Sequence, residues 1–332
     1  MKGKKHVHQL GRAVVAAVVL GSIIVLMFLG ALHSPEPNDV EVALVGPKES
    51  TSMVGSRLEA AAPGAFDLTY AEDEAAARQD VLELETTAAF VPGPTESRLI
   101  LAGASGALSK NALTEAFEQA AESGGGTLVV EDLTPLPSGD RAGLSPFLLT
   151  MGTLLPSFAL AALVVIGGAR AAPVRATITA LAVGSGLLAL VNACVVDPLL
   201  GALDGNFWGV VGALWLLSFS VAGVMLALHR VLGVAGLGVT VLAFLVAGMP
   251  TAGGAIGPNF IPEAFQVFTL ATPAGEAVPL LRKLVYFDEA PIALELGLLS
   301  AWAAFAAFVL LIPRRREPST TVAELASRST GG

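Results

Sequence analysis

The sequence predicts a polytopic α-helical membrane protein with six transmembrane helices and an extracytoplasmic α/β domain between helices 1 and 2. Hydrophobic residues make up 54% of the 332-residue chain and charged residues only 14%, whereas an ordinary soluble domain has about 25% charged residues. The apolar residues lie in long runs without charge, and the acidic residues concentrate in one segment between the first two runs. Long uncharged runs are typical of membrane spans rather than of a soluble core.

Six runs are long enough to cross the bilayer, for which a helix needs about 20 apolar residues. The predicted spans are residues 13–32, 146–169, 176–196, 207–228, 231–249 and 295–313. A cleavable signal peptide is the alternative for the first run. Its apolar region, however, is longer than the usual stretch of about 7–15 residues and lacks an Ala-x-Ala site. We therefore expect an uncleaved anchor.

Lysine and arginine residues predict the orientation of these spans. By the positive-inside rule, the segments richest in Lys and Arg face the cytoplasm. In chain order those bases are Lys2, Lys4, Lys5, Arg12, Arg170, Arg175, Arg230, Arg314, Arg315 and Arg316. The basic tail 1–12 and the tail 314–332 are thus expected inside, with residues 33–145 and 250–293 outside. The bias towards Ala, Gly and Val suggests a bacterium with GC-rich DNA, and hence the bacterial plasma membrane.

Residues 33–145 have the character of a solvated domain. They contain 19 acidic and six basic residues, a local net charge of −13, and this acidity argues against nucleic acid binding. Short apolar runs alternate there with helical patterns, which predicts an α/β sandwich with a partly parallel sheet. The predicted strands are 40–45, 66–70, 87–91, 99–102 and 127–130, and the predicted helices are 52–62, 73–84 and 111–122.

No motif in the chain indicates catalysis. The sequence lacks a phosphate-binding G-x-x-x-x-G-K-[ST] loop, a G-x-S-x-G elbow and an H-E-x-x-H pair. Its four histidines are dispersed, and its single cysteine, Cys194, lies in an apolar run. We therefore predict no enzymatic activity, no catalytic residue, no cofactor and no metal site. Mid-span charges are also missing, which argues against a secondary transporter driven by an ion gradient.

The outer segment 250–293 is the most unusual connection because it contains six prolines and an amphipathic centre. This pattern predicts two short interfacial or re-entrant helices, one in 262–271 and one starting near Pro273. A simple covering loop is the alternative. We expect Arg282 and Lys283 to face water. The residues predicted to shape this hairpin are Gly253, Gly254, Pro262, Phe265, Phe268, Pro273 and Arg282.

Three segments resemble a known family. They are DVLELETTAAFVP at 80–92, VEDLTPLPSGDRAGL at 130–144, and TAGG at 251–254 followed by residues 262–282. Together with the order of one span, a large outer domain and five spans, they resemble the ABC-2 type transporter membrane domain. The likeness is greatest to the YhgE/Pip (phage infection protein) family and the related DUF3533 proteins.

The resemblance implies an export permease subunit that pairs with a separate nucleotide-binding ATPase. It also implies a homodimer, because six spans are half of the usual translocator. The contacts with the ATPase would then lie in the cytoplasmic segments that carry Arg170, Arg175, His229 and Arg230. Anchoring of the topology is an equally good explanation for Arg170, Arg175 and Arg230. The alternative function is a non-transporting accessory or scaffold protein of a secretion or envelope system.

Overall fold

The computed structural model describes residues 2–32, 37–71, 73–167, 172–203, 205–254 and 257–312. Eleven helices of eight or more residues lie in these ranges. They are α1 (Lys2–Leu32), α2 (Lys48–Ala61), α3 (Glu74–Leu82), α4 (Ala107–Ser123), α5 (Ser145–Ile166), α6 (Val174–Leu199), α7 (Phe207–Leu232), α8 (Val234–Thr251), α9 (Glu263–Leu270), α10 (Pro273–Tyr286) and α11 (Ala293–Leu311). The strands are β1 (Val40–Val45), β2 (Phe66–Ala71), β3 (Ala88–Val91), β4 (Glu96–Leu101) and β5 (Thr127–Asp132).

Five helices are long and apolar enough to cross a membrane: α5, α6, α7, α8 and α11. The chain is therefore a multi-pass membrane protein with five candidate spans. Helix α1 precedes them and contains a shorter apolar stretch, Val18–Leu32. Helix α1 begins at Lys2 and so includes most of the predicted basic tail 1–12, whose cytoplasmic location stays a prediction.

The α/β domain contains the predicted mixed sheet. Its strand order is β2-β1-β3-β4-β5. The pairs β1–β2, β1–β3 and β4–β5 are parallel, and β3–β4 is antiparallel. All five predicted strands are present. Strand β4 begins three residues earlier than predicted because Glu96 already pairs with Thr127 of β5.

Alternating side chains give the sheet two apolar faces. On one face, Leu44 and Phe90 pack with Phe117 of α4 and with α2. On the other face, Ile100 packs with Val81 of α3. Burying each large apolar side chain stabilises the fold by about 1.5–3 kcal/mol. The period of two residues along the strands thus determines which residues enter which core.

The outer segment completes both of these cores. Phe260 and Ile261, which precede α9, are buried with the first face, whereas Phe287 and Ala290, which follow α10, are buried with the second. Both predicted hairpin helices are present, as α9 and α10. A simple covering loop is excluded, because α10 packs among α5, α7 and α11 and also contacts the domain at residues 103–105.

Helix α7 is the centre of the bundle and packs against α5, α6 and α11. A chain of buried hydroxyls connects three of these helices, with Ser157 2.8 Å from Ser218 and Ser218 3.1 Å from Ser185. Such interhelical bonds are the role expected of polar residues inside spans. Gly223 lets α11 approach closely, since a Cβ added there would lie 2.8 Å from the Cβ of Ala306.

Most helix ends lie within four residues of the predicted span ends, and two of the differences change the description of a connection. Helix α5 ends at Ile166, three residues before the predicted end of span 2. Helix α7 continues to Leu232, and only Gly233 separates it from α8. Gly233 has φ 64°, a left-handed conformation that glycine adopts without a steric penalty. The connection between these spans is therefore a one-residue turn.

Candidate functional site

A partly enclosed cavity of about 400 Å³ lies between the α/β domain and the outer end of the bundle. The domain contributes the amino-terminal ends of β1 and β3 and the turn after β4, and the bundle contributes α10 and the start of α11. Its charged lining residues are Asp39, Glu41, Glu276, Arg282, Lys283 and Glu295. The cavity thus brings together charged residues that lie more than 250 positions apart in the sequence, from Asp39 to Glu295.

The local structure of α10 directs its charged side chains towards the cavity. The helix begins at Pro273, and the Thr272 hydroxyl oxygen caps it by accepting a bond from the Gly275 amide at 3.2 Å. Proline suits the first helical turn, where its missing N–H has no partner in any case. Glu276 and Lys283 are seven residues apart and therefore lie on the same face of the helix. Both residues line the cavity.

Arg282 connects the hairpin with the domain. Its guanidinium donates one hydrogen bond to the Ser105 carbonyl of the domain and one to the Gly254 carbonyl before α9. The residue is only 6% exposed. The expectation that Arg282 and Lys283 face water is therefore wrong: protein covers Arg282, and the Lys283 side chain is only 16% exposed and is paired with Glu295.

A second contact joins α10 to the segment that leads into the bundle. The Tyr286 hydroxyl donates to the Asp140 carboxylate, which also accepts the amides of Leu144 at 3.1 Å and Ser145 at 2.8 Å. Asp140 thus satisfies free amides at the start of α5. Burial and the bond to Asp140 raise the pKa of Tyr286, so this phenol remains a donor. The two contacts hold α10 between the domain and α5.

The carboxylates of Glu276 and Glu295 are the most unusual groups in the cavity. Lys283 Nζ lies 2.6 Å from Glu295 Oε1 and donates to the Pro291 carbonyl at 2.8 Å. Glu276 Oε1 and Glu295 Oε2 are both buried and have no hydrogen-bond partner among the described residues. Glu276 as a whole is 2% exposed. Buried polar groups are normally hydrogen-bonded, so two such oxygens in one cavity point to a function.

Burial and the Glu295 carboxylate raise the pKa of Glu276 to about 7, and Lys283 offsets part of that shift. Glu276 belongs to α10, outside the five candidate spans.

The charged groups around the cavity do not balance. Four carboxylates line it, and among the residues that the structure describes only that of Glu295 is paired, with Lys283. Arg282 directs both of its terminal nitrogens to carbonyl oxygens. The arrangement therefore has an excess of negative charge and can attract a cation. Within the described ranges, no group of three or more His, Cys, Asp or Glu side chains is placed to hold a metal ion.

Of the residues predicted to contact an ATPase, Arg175, His229 and Arg230 are described, and they lie at the other end of the bundle. Arg175 is exposed in the first turn of α6. Arg230 donates to the carbonyls of Leu310 and Ile312 and so joins the ends of α7 and α11. His229 Nδ1 lies 3.0 Å from the Gly233 carbonyl oxygen. Arg170 is outside the described residues, and a role in coupling stays a prediction for all four.

The predicted hairpin residues occupy the outer side. Gly253 and Gly254 both have positive φ and form the turn after α8. Pro262 and Pro273 stand at the starts of α9 and α10. Among the predicted residues, the structure brings Gly254 together with Arg282.

Phe265 of α9 packs closely against α1, because a Cβ added at Gly30 would lie 2.9 Å from its ring. Phe268, on the same helix, is half-buried. Both aromatic residues thus lie on the hairpin as predicted, and Phe265 has a defined partner in the first helix.

Four residues of the site were not predicted from the sequence: Glu276, Glu295, Asp140 and Tyr286. One signal was present, since Glu276 is a carboxylate adjoining apolar residues in the outer segment 250–293, and Glu295 is a carboxylate at the first residue of the last predicted span. Their convergence requires α10 and α11 to pack together, which local patterns do not specify. For Asp140 and Tyr286, 146 residues apart, the chain carries no such signal.

Comparison of the chain with protein-family models, with curated proteins and with solved structures finds no match in any of the three. The resemblance to the ABC-2 type family therefore rests on the three sequence segments and the order of the elements.

Proposed function

We propose that the chain is the membrane-spanning subunit of an ABC-2-like export system, energised by a separate ATPase and working as a homodimer. In this proposal α1 is a sixth span in the bacterial plasma membrane, both termini are cytoplasmic and residues 33–145 are outside. At about 1.5 Å per residue, the 31-residue α1 is about 46 Å long. That length exceeds the roughly 30 Å of hydrocarbon and leaves a basic extension on the inner side.

The observation that carries the proposal is the continuous connection between the two ends of the bundle. The first turn of α11 contains Glu295, which lines the outer cavity. At the other end of α11, the carbonyls of Leu310 and Ile312 accept hydrogen bonds from Arg230 of α7. A permease must transmit movement from a cytoplasmic ATPase to the outer side. Rigid helices tied at one end and forming part of a cavity at the other are suited to that task.

The energy source supports the same function. The sequence contains no phosphate-binding loop, so the chain has no evident means of using ATP itself. The buried ionisable residues of the described spans, His229 and Glu295, lie near helix ends rather than at mid-span positions. Proton or sodium coupling normally uses intramembrane ionisable groups. An external ATPase is the remaining common source.

Site-specific photocrosslinking in membranes of the native host tests this proposal. A photoreactive amino acid is placed at Arg175, exposed at the predicted cytoplasmic end, and as a matched control at Arg141, exposed on the outer side. We expect a protein with nucleotide-binding motifs to crosslink at position 175 and not at 141. We also expect the ATPase activity of the purified complex to fall in Arg175→Glu.

A different crosslinking pattern would overturn the permease function. If position 175 captures no ATPase while position 141 captures secretion or envelope proteins, the chain acts as an accessory or scaffold protein. Crosslinking of the same ATPase from both positions would contradict the proposed orientation, because the two sites lie at opposite ends of the bundle.

A further inference from the structure

We propose that the cavity between the α/β domain and α10 binds a small organic cation whose ammonium group is held by Glu276 and Glu295. This inference goes beyond the proposed function, since it assigns a ligand to the outer cavity whether or not the chain transports it. Three properties of the cavity carry the assignment: its size, its unpaired carboxylate oxygens and its mixed lining.

The size of the cavity fits a small molecule better than a bare ion. Ligand sites in proteins commonly enclose about 300–1,000 Å³, and this cavity measures about 400 Å³. Besides the charged groups, apolar side chains including Phe260, Val278 and Leu294 line it. An alkyl or aromatic body can rest on these side chains while a charged group meets the carboxylates.

The unpaired oxygens define the charge of the ligand. Glu276 Oε1 and Glu295 Oε2 are acceptors without a partner among the described residues, and the two residues are 2% and 6% exposed. An ammonium group supplies several N–H donors and a compensating charge at once. The cavity already contains such a contact, because the Lys283 ammonium lies 2.6 Å from the other oxygen of Glu295.

A metal ion is a poorer occupant. Asp39 and Glu41 line the domain side of the cavity, but no group of three possible ligands is clustered in the described residues. The Lys283 ammonium and the Arg282 guanidinium also line the cavity and repel a multivalent ion. A monovalent ammonium meets less repulsion and needs fewer ligands.

Binding is expected to depend on pH through Glu276. Burial and the Glu295 charge raise the pKa of Glu276 to about 7, while Lys283 lowers it. Asp39, Glu41 and Arg282 are the other charged groups that line the same cavity. A cation is bound by the ionised carboxylate, so below pH 7 the ligand must displace a proton. For a pKa of about 7 this linkage weakens binding by about 20-fold between pH 7.5 and pH 5.5.

The test is calorimetric titration of the full-length chain in nanodiscs of uncharged lipid. The probes are tyramine, its neutral analogue tyrosol, in which a hydroxyl replaces the ammonium, and Mg²⁺. We expect tyramine to bind at pH 7.5, tyrosol and Mg²⁺ to show no binding, and the affinity for tyramine to fall about 20-fold at pH 5.5. Glu276→Gln should weaken tyramine binding at least about tenfold and remove the pH dependence. The matched control is Glu263→Gln, an exposed glutamate of α9 that does not line the cavity.

Several outcomes would overturn the inference: no heat of binding from tyramine in the millimolar range, equal binding of tyrosol, binding of Mg²⁺ in place of the amine, or unchanged affinity in Glu276→Gln. The comparison of tyramine with tyrosol uses the unaltered chain, so it stands even if a variant folds poorly. No ATPase takes part in the titration, so its result is independent of the crosslinking experiment.

Discussion

Replacement of Arg282 by methionine tests whether this buried side chain holds the domain on the bundle. Methionine keeps most of the apolar stem but removes the hydrogen bonds to the carbonyls of Ser105 and Gly254. Hydrogen bonds to charged groups contribute about 1.5–3 kcal/mol each. Part of that gain is offset, because the buried Nε of Arg282 has no partner among the described residues. We therefore expect a net local loss of about 3 kcal/mol, which corresponds to about a hundredfold in a local opening equilibrium.

Hydrogen–deuterium exchange of the full chain in nanodiscs measures this opening at two reporter amides. The Ala104 amide donates to the Thr134 carbonyl at 2.8 Å, and the Gly257 amide donates to the Gly253 carbonyl at 2.9 Å. Both lie next to the carbonyls that Arg282 binds. They are expected to exchange about a hundredfold faster in Arg282→Met, whereas amides of β2, at the far edge of the sheet, should keep their rates.

Arg57→Met is the matched control, because Arg57 is exposed on α2 and does not line the cavity. Unchanged exchange at Ala104 and Gly257 in Arg282→Met would refute the reasoning, since it would mean that other contacts alone hold the domain. An equal increase in the control would show a general loss of domain stability instead of release of the hairpin.

Three further predictions concern other buried contacts. The pKa of Glu276 is raised from its ordinary 4.5 to about 7. The folded chain therefore binds this proton more tightly than the unfolded chain, and the free energy of unfolding is expected to fall by about 3 kcal/mol as the pH rises from 4.5 to 7. Glu276→Gln should flatten this dependence in thermal melts. Ser218→Ala removes the hydroxyl that bridges the two neighbouring helices and should cost about 1 kcal/mol in the same melts. Gly223→Leu forces a side chain into the 2.8 Å approach to Ala306 and should cost about 2 kcal/mol or more. In contrast, Gly212→Leu, where a Cβ meets nothing within 4 Å, should be nearly neutral.

Each of these expectations has an outcome that contradicts it. A melting temperature of Glu276→Gln that keeps the pH dependence of the unaltered chain would assign that dependence to other groups. No change in Ser218→Ala would mean that the helices repack without the hydroxyl. Equal effects of the two leucine substitutions would show that the distance between α7 and α11 does not limit the bundle.

Much of the architecture could be predicted because it depends on neighbouring residues. The alternation in Val40–Val45 places its apolar side chains in the domain cores, and the structure has a strand with the predicted bounds. Runs without charge locate the five candidate spans for a similarly local reason, since a lipid-exposed helix cannot leave charged groups unsatisfied. The two short hairpin helices follow from their prolines and amphipathic pattern.

The helix ends were less predictable. The step from α7 to α8 lies at Gly233, inside a run that remains apolar on both sides. Apolar length locates a span but not its last residue, because the composition does not change at the turn. Only the left-handed conformation of Gly233 marks where the chain reverses.

The sequence by itself determined the membrane character, the acidic α/β domain and the order of their elements, because each of these properties is encoded in residues close along the chain. Only the tertiary structure decided that Arg282 is buried and that Glu276, Lys283 and Glu295 meet in one cavity. The amphipathic pattern of α10 separates an apolar face from a polar one, but it cannot state what covers the polar face. Here the α/β domain, the turn at Gly254 and the start of α11 cover it, so charges that would otherwise be solvated become the lining of a site.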